Sequence, residues 1–290
     1  MHSTASDGTD RPEALAKLAK NAGLGAIALT DHDTTEGLSA CERACRRAGV
    51  GFVPGIEISA DPRAVLPATR APAPQAQFGT LHILGFFVRH DDPRLAEIHE
   101  RMRTARNERN PAIVARLQAL GLQIQYEEVL ELARNQGTAI IGRPHIAQVL
   151  IKKGYVKSIQ DAFGKYLGQG RAAYVRRDRL NPAEALDAIH HAGGLGVLAH
   201  PVQLKCRDLE QVEHFTARLR ALGLDGIETR HSDHGTQFTA QLEALADRLG
   251  LLTTGGSDYH GSRKSVELGS QEVPLEVYER LREAWEKGRM

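Results

Sequence analysis

Four short segments of the chain close on carboxylate and imidazole groups: Thr30-Asp31-His32-Asp33, Pro54-Gly55-Ile56-Glu57, Ala199-His200-Pro201 and Gly256-Ser257-Asp258-Tyr259-His260. Oxygen and imidazole donors without thiolates suit divalent ions such as manganese, zinc or iron. A single His in an apolar run is ordinarily a satisfied core residue. Several such runs, each closing on a ligand group, point instead to a polynuclear metal site, and a further run from Leu81 to Val88 adds His82. Cations held a few ångströms apart can lower the pKa of a bridging water and neutralise phosphate oxygens during in-line attack.

The elements that must carry these groups are short and apolar. Ala26 to Leu29, Phe52 to Ile58, Leu195 to Leu198, Gly226 to Thr229 and Leu251 to Thr254 read as buried strands. Helices alternate with them. The first is expected to be capped by Thr9 or Asp10, with Pro12 in its first turn and Gly23 at its end; the second runs from about Gly37 to Ala48. This alternation predicts parallel βαβ units, whose C-terminal strand ends converge on one face of an α/β barrel. Residues 61 to 78, rich in Pro and Ala and including Arg63 and Arg70, read as a surface loop.

From residue 92 to 176 the pattern turns helical. A helix over Pro93 to Leu120 is expected to break at Asn110-Pro111, because proline lacks the amide donor and crowds the preceding turn. Shorter helices follow over Tyr126 to Asn135, Pro144 to Lys152 and Ser158 to Leu167. We read residues 92–176 as a helical insertion domain over the C-terminal face of a barrel built from 1–91 and 177–290. The alternation resumes at Asn181-Pro182-Ala183-Glu184, a capping-box sequence.

Composition narrows the function classes. Lys plus Arg is 37 against 36 for Asp plus Glu, so no net field holds a polyanion unspecifically, and duplex DNA is not an expected partner. A nucleotide or a strand end gripped by a few local cations remains open. The three cysteines lack a Cys-x-x-Cys spacing, and Cys41 and Cys45 would share one helix face, which suits reduced structural thiols. No apolar stretch approaches the ~18 residues of a membrane span, so a cytoplasmic protein is expected.

The four clusters, together with His2-Ser3-Thr4-Ala5-Ser6-Asp7-Gly8 and Leu81-His82-Ile83-Leu84-Gly85, resemble in order the polymerase-and-histidinol-phosphatase (PHP) family. The resemblance spans nearly the whole chain. It implies a distorted (β/α)7 barrel with two or three divalent ions, manganese first among them. One ion would be held by His2, Glu57 and Asp258, a second by Asp7, His32 and His260, and a third by Glu57, His82 and His200. Asp31 and Asp33 would orient His32 or close its loop. The family opens Asp-Leu-His-x-His-Ser, whereas this chain opens Met1-His2-Ser3, without the first His of the pair or the strand before it. A start assigned to an internal Met codon explains this; the alternative is a true loss, with the α-amino group or a water in that position. In either case the first ion should bind more weakly.

Within the family, the insertion and Gly142-Arg143-Pro144-His145 most resemble the 3′,5′-nucleoside bisphosphate phosphatases, some of which also act as 5′-to-3′ exoribonucleases on short RNA. The expected substrate is therefore a small phosphorylated nucleotide or a short single-stranded RNA end, attacked by a metal-activated hydroxide. Arg143, His145, Lys165 and Ser232 are candidate substrate contacts, and His234 a candidate proton donor beside Glu57 and Asp258. The rival readings are a phosphatase for another monoester such as histidinol phosphate, and a non-catalytic PHP module stabilised by metal. Deaminase chemistry is more distant, since the motifs do not match it.

Overall fold

A computed structural model describes residues 1–65, 79–138 and 140–288. Most of the expected 61–78 loop, Arg70 included, lies outside the described residues; its start forms a short 3-10 turn over Pro62–Ala64. Strands β1 (Ala26–Leu29), β2 (Gly51–Ala60), β3 (Leu81–Phe86), β4 (Leu195–Leu198), β5 (Gly226–His231) and β6 (Leu252–Gly256) form one sheet in that spatial order. This is the α/β barrel-type architecture expected, with one difference in direction.

The β1–β2, β4–β5 and β5–β6 pairs are parallel, but β3 runs antiparallel to both β2 and β4. The reversal matters for chemistry. His82 is the second residue of β3 and would lie at the wrong end of a parallel strand. Paired opposite Ser59, it instead lies beside the C-terminal end of β2. Strand β2 is the long one: Gly51 to Pro54 pairs with β1, and Gly55 to Ala60 continues past β1 to pair with β3. Glu57 therefore sits where β1 has already ended, opposite His32 in the following loop.

Helices α1 (Pro12–Asn21) and α2 (Leu38–Ala48) cover β1 and β2. Neither Thr9 nor Asp10 caps α1, whose first flanking residue is Arg11, without a side-chain cap. Both side chains are used elsewhere: Thr9 Oγ1 accepts from the Ser262 amide (2.9 Å) and Asp10 accepts from the Tyr259 hydroxyl (2.9 Å). They tie the amino-terminal loop to the segment after β6. In α2, Cys41 and Cys45 are free and buried on one face, as expected from their spacing.

The expected break at Asn110-Pro111 does not occur. Helix α3 runs continuously from Pro93 to Ala119 with Pro111 inside it. Packing at both ends outweighs the local cost of ~3 kcal/mol for an interior proline. Leu95, Ile98 and Met102 sink into the core against the sheet, while Ile113, Val114 and Leu117 belong to a second core. That second core is completed by α4 (Tyr126–Gln136), α5 (Arg143–Lys152), α6 (Ile159–Ala162) and a π-helical turn over Phe163–Leu167. Helices α7 (Pro182–His191), α8 (Leu209–Ala221), α9 (Thr236–Leu249) and α10 (Leu275–Lys287) complete the fold. Asn181 caps α7 by accepting from the Ala183 amide, but Glu184 pairs with Arg101 of α3 at 2.7 Å.

Candidate metal centre and its cationic rim

Glu57 is the centre of the cluster. Its Oε1 lies 2.9 Å from His200 Nε2 and in short contact with His82 Nδ1; its Oε2 lies 2.9 Å from His2 Nε2 and 3.7 Å from His32 Nδ1. Asp258 Oδ1 is 3.2 Å from His2 Nε2. Asp7 Oδ1 lies 3.4 Å from His260 Nε2, 3.7 Å from His2 Nδ1 and 3.9 Å from His32 Nε2. All eight metal-ligand candidates thus converge, from six distant stretches of chain.

Local backbone makes the convergence possible. His200 (φ 28°) and Asp258 (φ 54°) follow β4 and β6 in the left-handed region, unusual for residues with a Cβ. That turn swings each side chain across the end of its strand. The loop carrying Asp7 is closed by Ser6 and Gly8 amides donating to the Ser3 carbonyl, and a Cβ at Gly8 would meet the His2 carbonyl at 2.3 Å. Asp31 holds the same loop by accepting from the Ser3 amide (2.7 Å), the Ser3 hydroxyl (2.6 Å) and the Ser6 hydroxyl (2.5 Å). Met1 pairs with β1, accepting from the Thr30 amide, while the His2 amide donates to the Tyr259 carbonyl beyond β6. Met1 and His2 therefore bridge the two edges of the sheet.

The donors fit a group of divalent ions. Three sets of ligand atoms each lie within 4.8 Å of one another: His2, Asp7, His32 and His260; His32, Glu57 and His82; His2, Glu57 and Asp258. Buried His2 Nδ1, Asp7 Oδ1, His32 Nδ1 and His200 Nδ1 have no hydrogen-bond partner among the described residues, a costly state that an electrophile would relieve. Burial would raise the Glu57 carboxyl, but the surrounding imidazoles of His32, His82, His2 and His200 hold it well below the usual carboxylate range. Burial pushes His32 down to about 3, leaving a neutral imidazole able to ligate. His2 goes the other way: burial opposes its charge, yet hydrogen bonds to Asp258 and Glu57 push it up to about 10.

The substrate candidates divide. Arg143 lies between the rings of Phe163 and Tyr174, 5.1 and 5.6 Å from their centroids, and donates to the Leu167 carbonyl at 2.9 Å. It lines a cavity of about 170 Å³ that also touches Asp7, His32 and His82. His145 is fully buried and does not line it; its Nδ1 accepts from the Gly142 amide at the start of α5. Lys165 is 53% exposed and pairs with Asp161 one helical turn away. Ser232 and His234 stand on the turn after β5, where His234 Nδ1 donates to the Thr229 carbonyl (2.9 Å) and its ring lies one ring beyond His231. Neither lines the cavity.

Other residues at the site were not singled out in the sequence. Lys264 pairs closely with Asp258, and His231, fully buried, presents Nε2 3.5 Å from the same carboxylate. Arg106, Arg109, Arg177 and Arg179 line the small cavity with Arg143. Nothing distinguishes them among 37 basic residues except the i,i+3 spacing of Arg106 and Arg109, which places both on one face of α3. A larger cavity, about 510 Å³, lies inside the sheet against Val53, Leu84 and Phe86 and reaches Glu57, His200 and Asp258. Its apolar walls offer a phosphate little, so the cationic cavity is the better substrate entrance.

An α/β barrel-type sheet whose strand ends gather five histidines and two aspartates around one glutamate defines a metal-dependent phosphoesterase. The PHP domain model matches residues 1–168, and the chain belongs to the PHP family. It is 33% identical over 273 residues to the 5′-3′ exoribonuclease Rnm of Escherichia coli K12, covering 92% of this chain and 86% of that protein. It is 31% identical over 263 residues to the 3′,5′-nucleoside bisphosphate phosphatase of Chromobacterium violaceum, covering 90% and 85%. A solved structure from Bifidobacterium adolescentis, assigned as a metal-dependent phosphoesterase, superposes with a TM-score of 0.83 at 30% identity, covering 97% of this chain and 93% of that one.

Proposed function

We propose that the protein removes the 3′-phosphate from 3′,5′-bisphosphonucleotides and cleaves the first linkage of short 5′-phosphorylated RNA by the same chemistry. The observation that carries this reading is the shared wall between the ligand cluster and the arginine-lined cavity, formed by Asp7, His32 and His82. The names of the Escherichia coli and Chromobacterium violaceum relatives support the same pair of activities.

Divalent ions, manganese before zinc or iron, would be held by His2, Asp7, His32, Glu57, His82, His200, Asp258 and His260. When bound they would supply an acidified water and charge neutralisation at the phosphate. The chain's own groups do the rest. Glu57 offers one oxygen to each side of the cluster and so fixes the spacing between neighbouring sites. Lys264 and His231 hold Asp258 from behind. Arg143 lines the cavity, its guanidinium held by two aromatic rings and the Leu167 carbonyl and, among the described residues, by no carboxylate, so its charge is free for substrate. A cavity lined by five guanidiniums disfavours histidinol phosphate, whose amine is itself cationic.

Phosphate release from adenosine 3′,5′-bisphosphate and from histidinol phosphate, and mononucleotide release from a 5′-phosphorylated oligoribonucleotide, test the proposal, with manganese-loaded and chelated protein side by side. Manganese-dependent turnover of the first and third is expected. Turnover of histidinol phosphate alone, or equal rates after chelation, would refute it.

A further inference from the structure

A ligating imidazole is ordinarily aimed by a hydrogen bond to its other ring nitrogen. His260 follows that rule, with Nδ1 2.7 Å from the Asp258 carbonyl. His200 does not. Its Nε2 lies 2.9 Å from Glu57 and 3.2 Å from His82 Nδ1, but its buried Nδ1 has no partner among the described residues. The ring is therefore aimed from its backbone, and that backbone is strained. His200 has φ 28° and ψ 66°, a left-handed conformation in a residue that carries a Cβ and also precedes Pro201. Such a conformation persists only where its surroundings hold it. Two contacts do so. The His200 carbonyl accepts from the Gln203 amide at 2.9 Å, within the 3-10 turn over Pro201–Leu204, and the His200 amide donates to Glu228 Oε2 at 2.7 Å. Glu228 stands on β5 one residue past Ile227, the partner of Leu198, so β4 has just ended beside it. It is a further buried carboxyl at this end of the sheet, yet it joins none of the three ligand sets. Burying such a group is expensive without a donor, and the donor here is the His200 amide.

We infer that Glu228 is a positioning residue for the metal centre: its carboxyl grips the His200 amide, fixes the left-handed turn after β4 and so aims Nε2 at the ion shared by Glu57, His82 and His200. The inference rests on the metal-dependent reading above and is indifferent to which phosphate ester is cleaved. In this role Glu228 touches neither substrate nor ion. Without its acceptor, the turn is free to relax toward negative φ and carry the ring away from Glu57, while β4 and β5 stay paired. A neutral carboxamide oxygen can accept the same hydrogen bond but is a poorer ligand for a hard divalent ion, which separates positioning from direct ligation.

Manganese content and affinity of the full chain, measured by equilibrium dialysis with elemental analysis, test this. Glu228→Met keeps the length and removes the acceptor. It is expected to bind the affected ion roughly 10- to 100-fold more weakly, so that one ion per chain is missing at concentrations that just saturate the wild type. Glu228→Gln keeps an acceptor and is expected to retain the wild-type ion count and affinity. Raising manganese is expected to restore kcat in Glu228→Met, with KM for adenosine 3′,5′-bisphosphate unchanged. A full ion count in Glu228→Met would overturn the inference. So would an ion lost equally from Glu228→Gln, which would make Glu228 a ligand in its own right. Should Glu228→Met fail to fold, amide hydrogen exchange of the wild type decides. The His200 amide is expected to be as protected as those of β4, and exchange at the rate of an open loop would overturn the positioning role. Wild-type protein that binds no manganese would instead sink the metal-dependent reading itself.

Discussion

Asp31 and Asp33 flank His32, yet neither carboxylate touches its ring. Asp31 is spent on Ser3 and Ser6, and so on the loop that brings Asp7 to the cluster. Asp33, with φ at 55°, turns the other way, toward Ser59 and the arginines. Asp31 thus closes the amino-terminal loop rather than the loop of His32, where the sequence placed its role. Asp31→Asn keeps the size but weakens three hydrogen bonds to the loop. It is expected to reduce manganese affinity roughly 10- to 100-fold with little change in secondary structure. Metal titration followed by circular dichroism checks this; unchanged affinity would mean that the loop holds its shape without Asp31.

At the level of elements, α3 links the two cores. Its first half packs on the sheet and its second half in the second core, and between them Arg106 and Arg109 line the cationic cavity. Pro111 sits two residues beyond Arg109. Replacing it restores an amide donor and removes a clash with the preceding turn, so Pro111→Ala should raise the thermal midpoint, by a gain bounded at about 3 kcal/mol. A lower midpoint would show that neighbouring side chains are packed around the proline ring.

For the molecule as a whole, one buried and two half-buried carboxylates and five buried or half-buried imidazoles at one end of the sheet are a liability without cations. A cation that binds the folded state alone stabilises it by about 2.7 kcal/mol at a hundredfold excess over its Kd. Chelated protein is therefore expected to melt at lower temperature, with the midpoint restored by manganese and rising with its concentration. A midpoint indifferent to chelator would mean that the cluster is satisfied without ions.

Candidate ligands His32, Glu57, His200, Asp258 and His260 were legible in the sequence because each closes or follows a short apolar run, whereas His2 and Asp7 were read from the family resemblance. Strand positions followed from the same runs to within a few residues. What the sequence left open depends on contacts between distant segments. The reversed direction of β3 is set by its pairing with β2 and β4, and it alone explains how His82, at the start of a strand, meets Glu57 and His200. The continuity of α3 through Pro111 follows from cores that local propensity does not see. Arg109 looks like any other arginine until burial removes its water and, among the described residues, no carboxylate pairs with it. Residue type is a local property, whereas the charge balance of a cavity belongs to the fold.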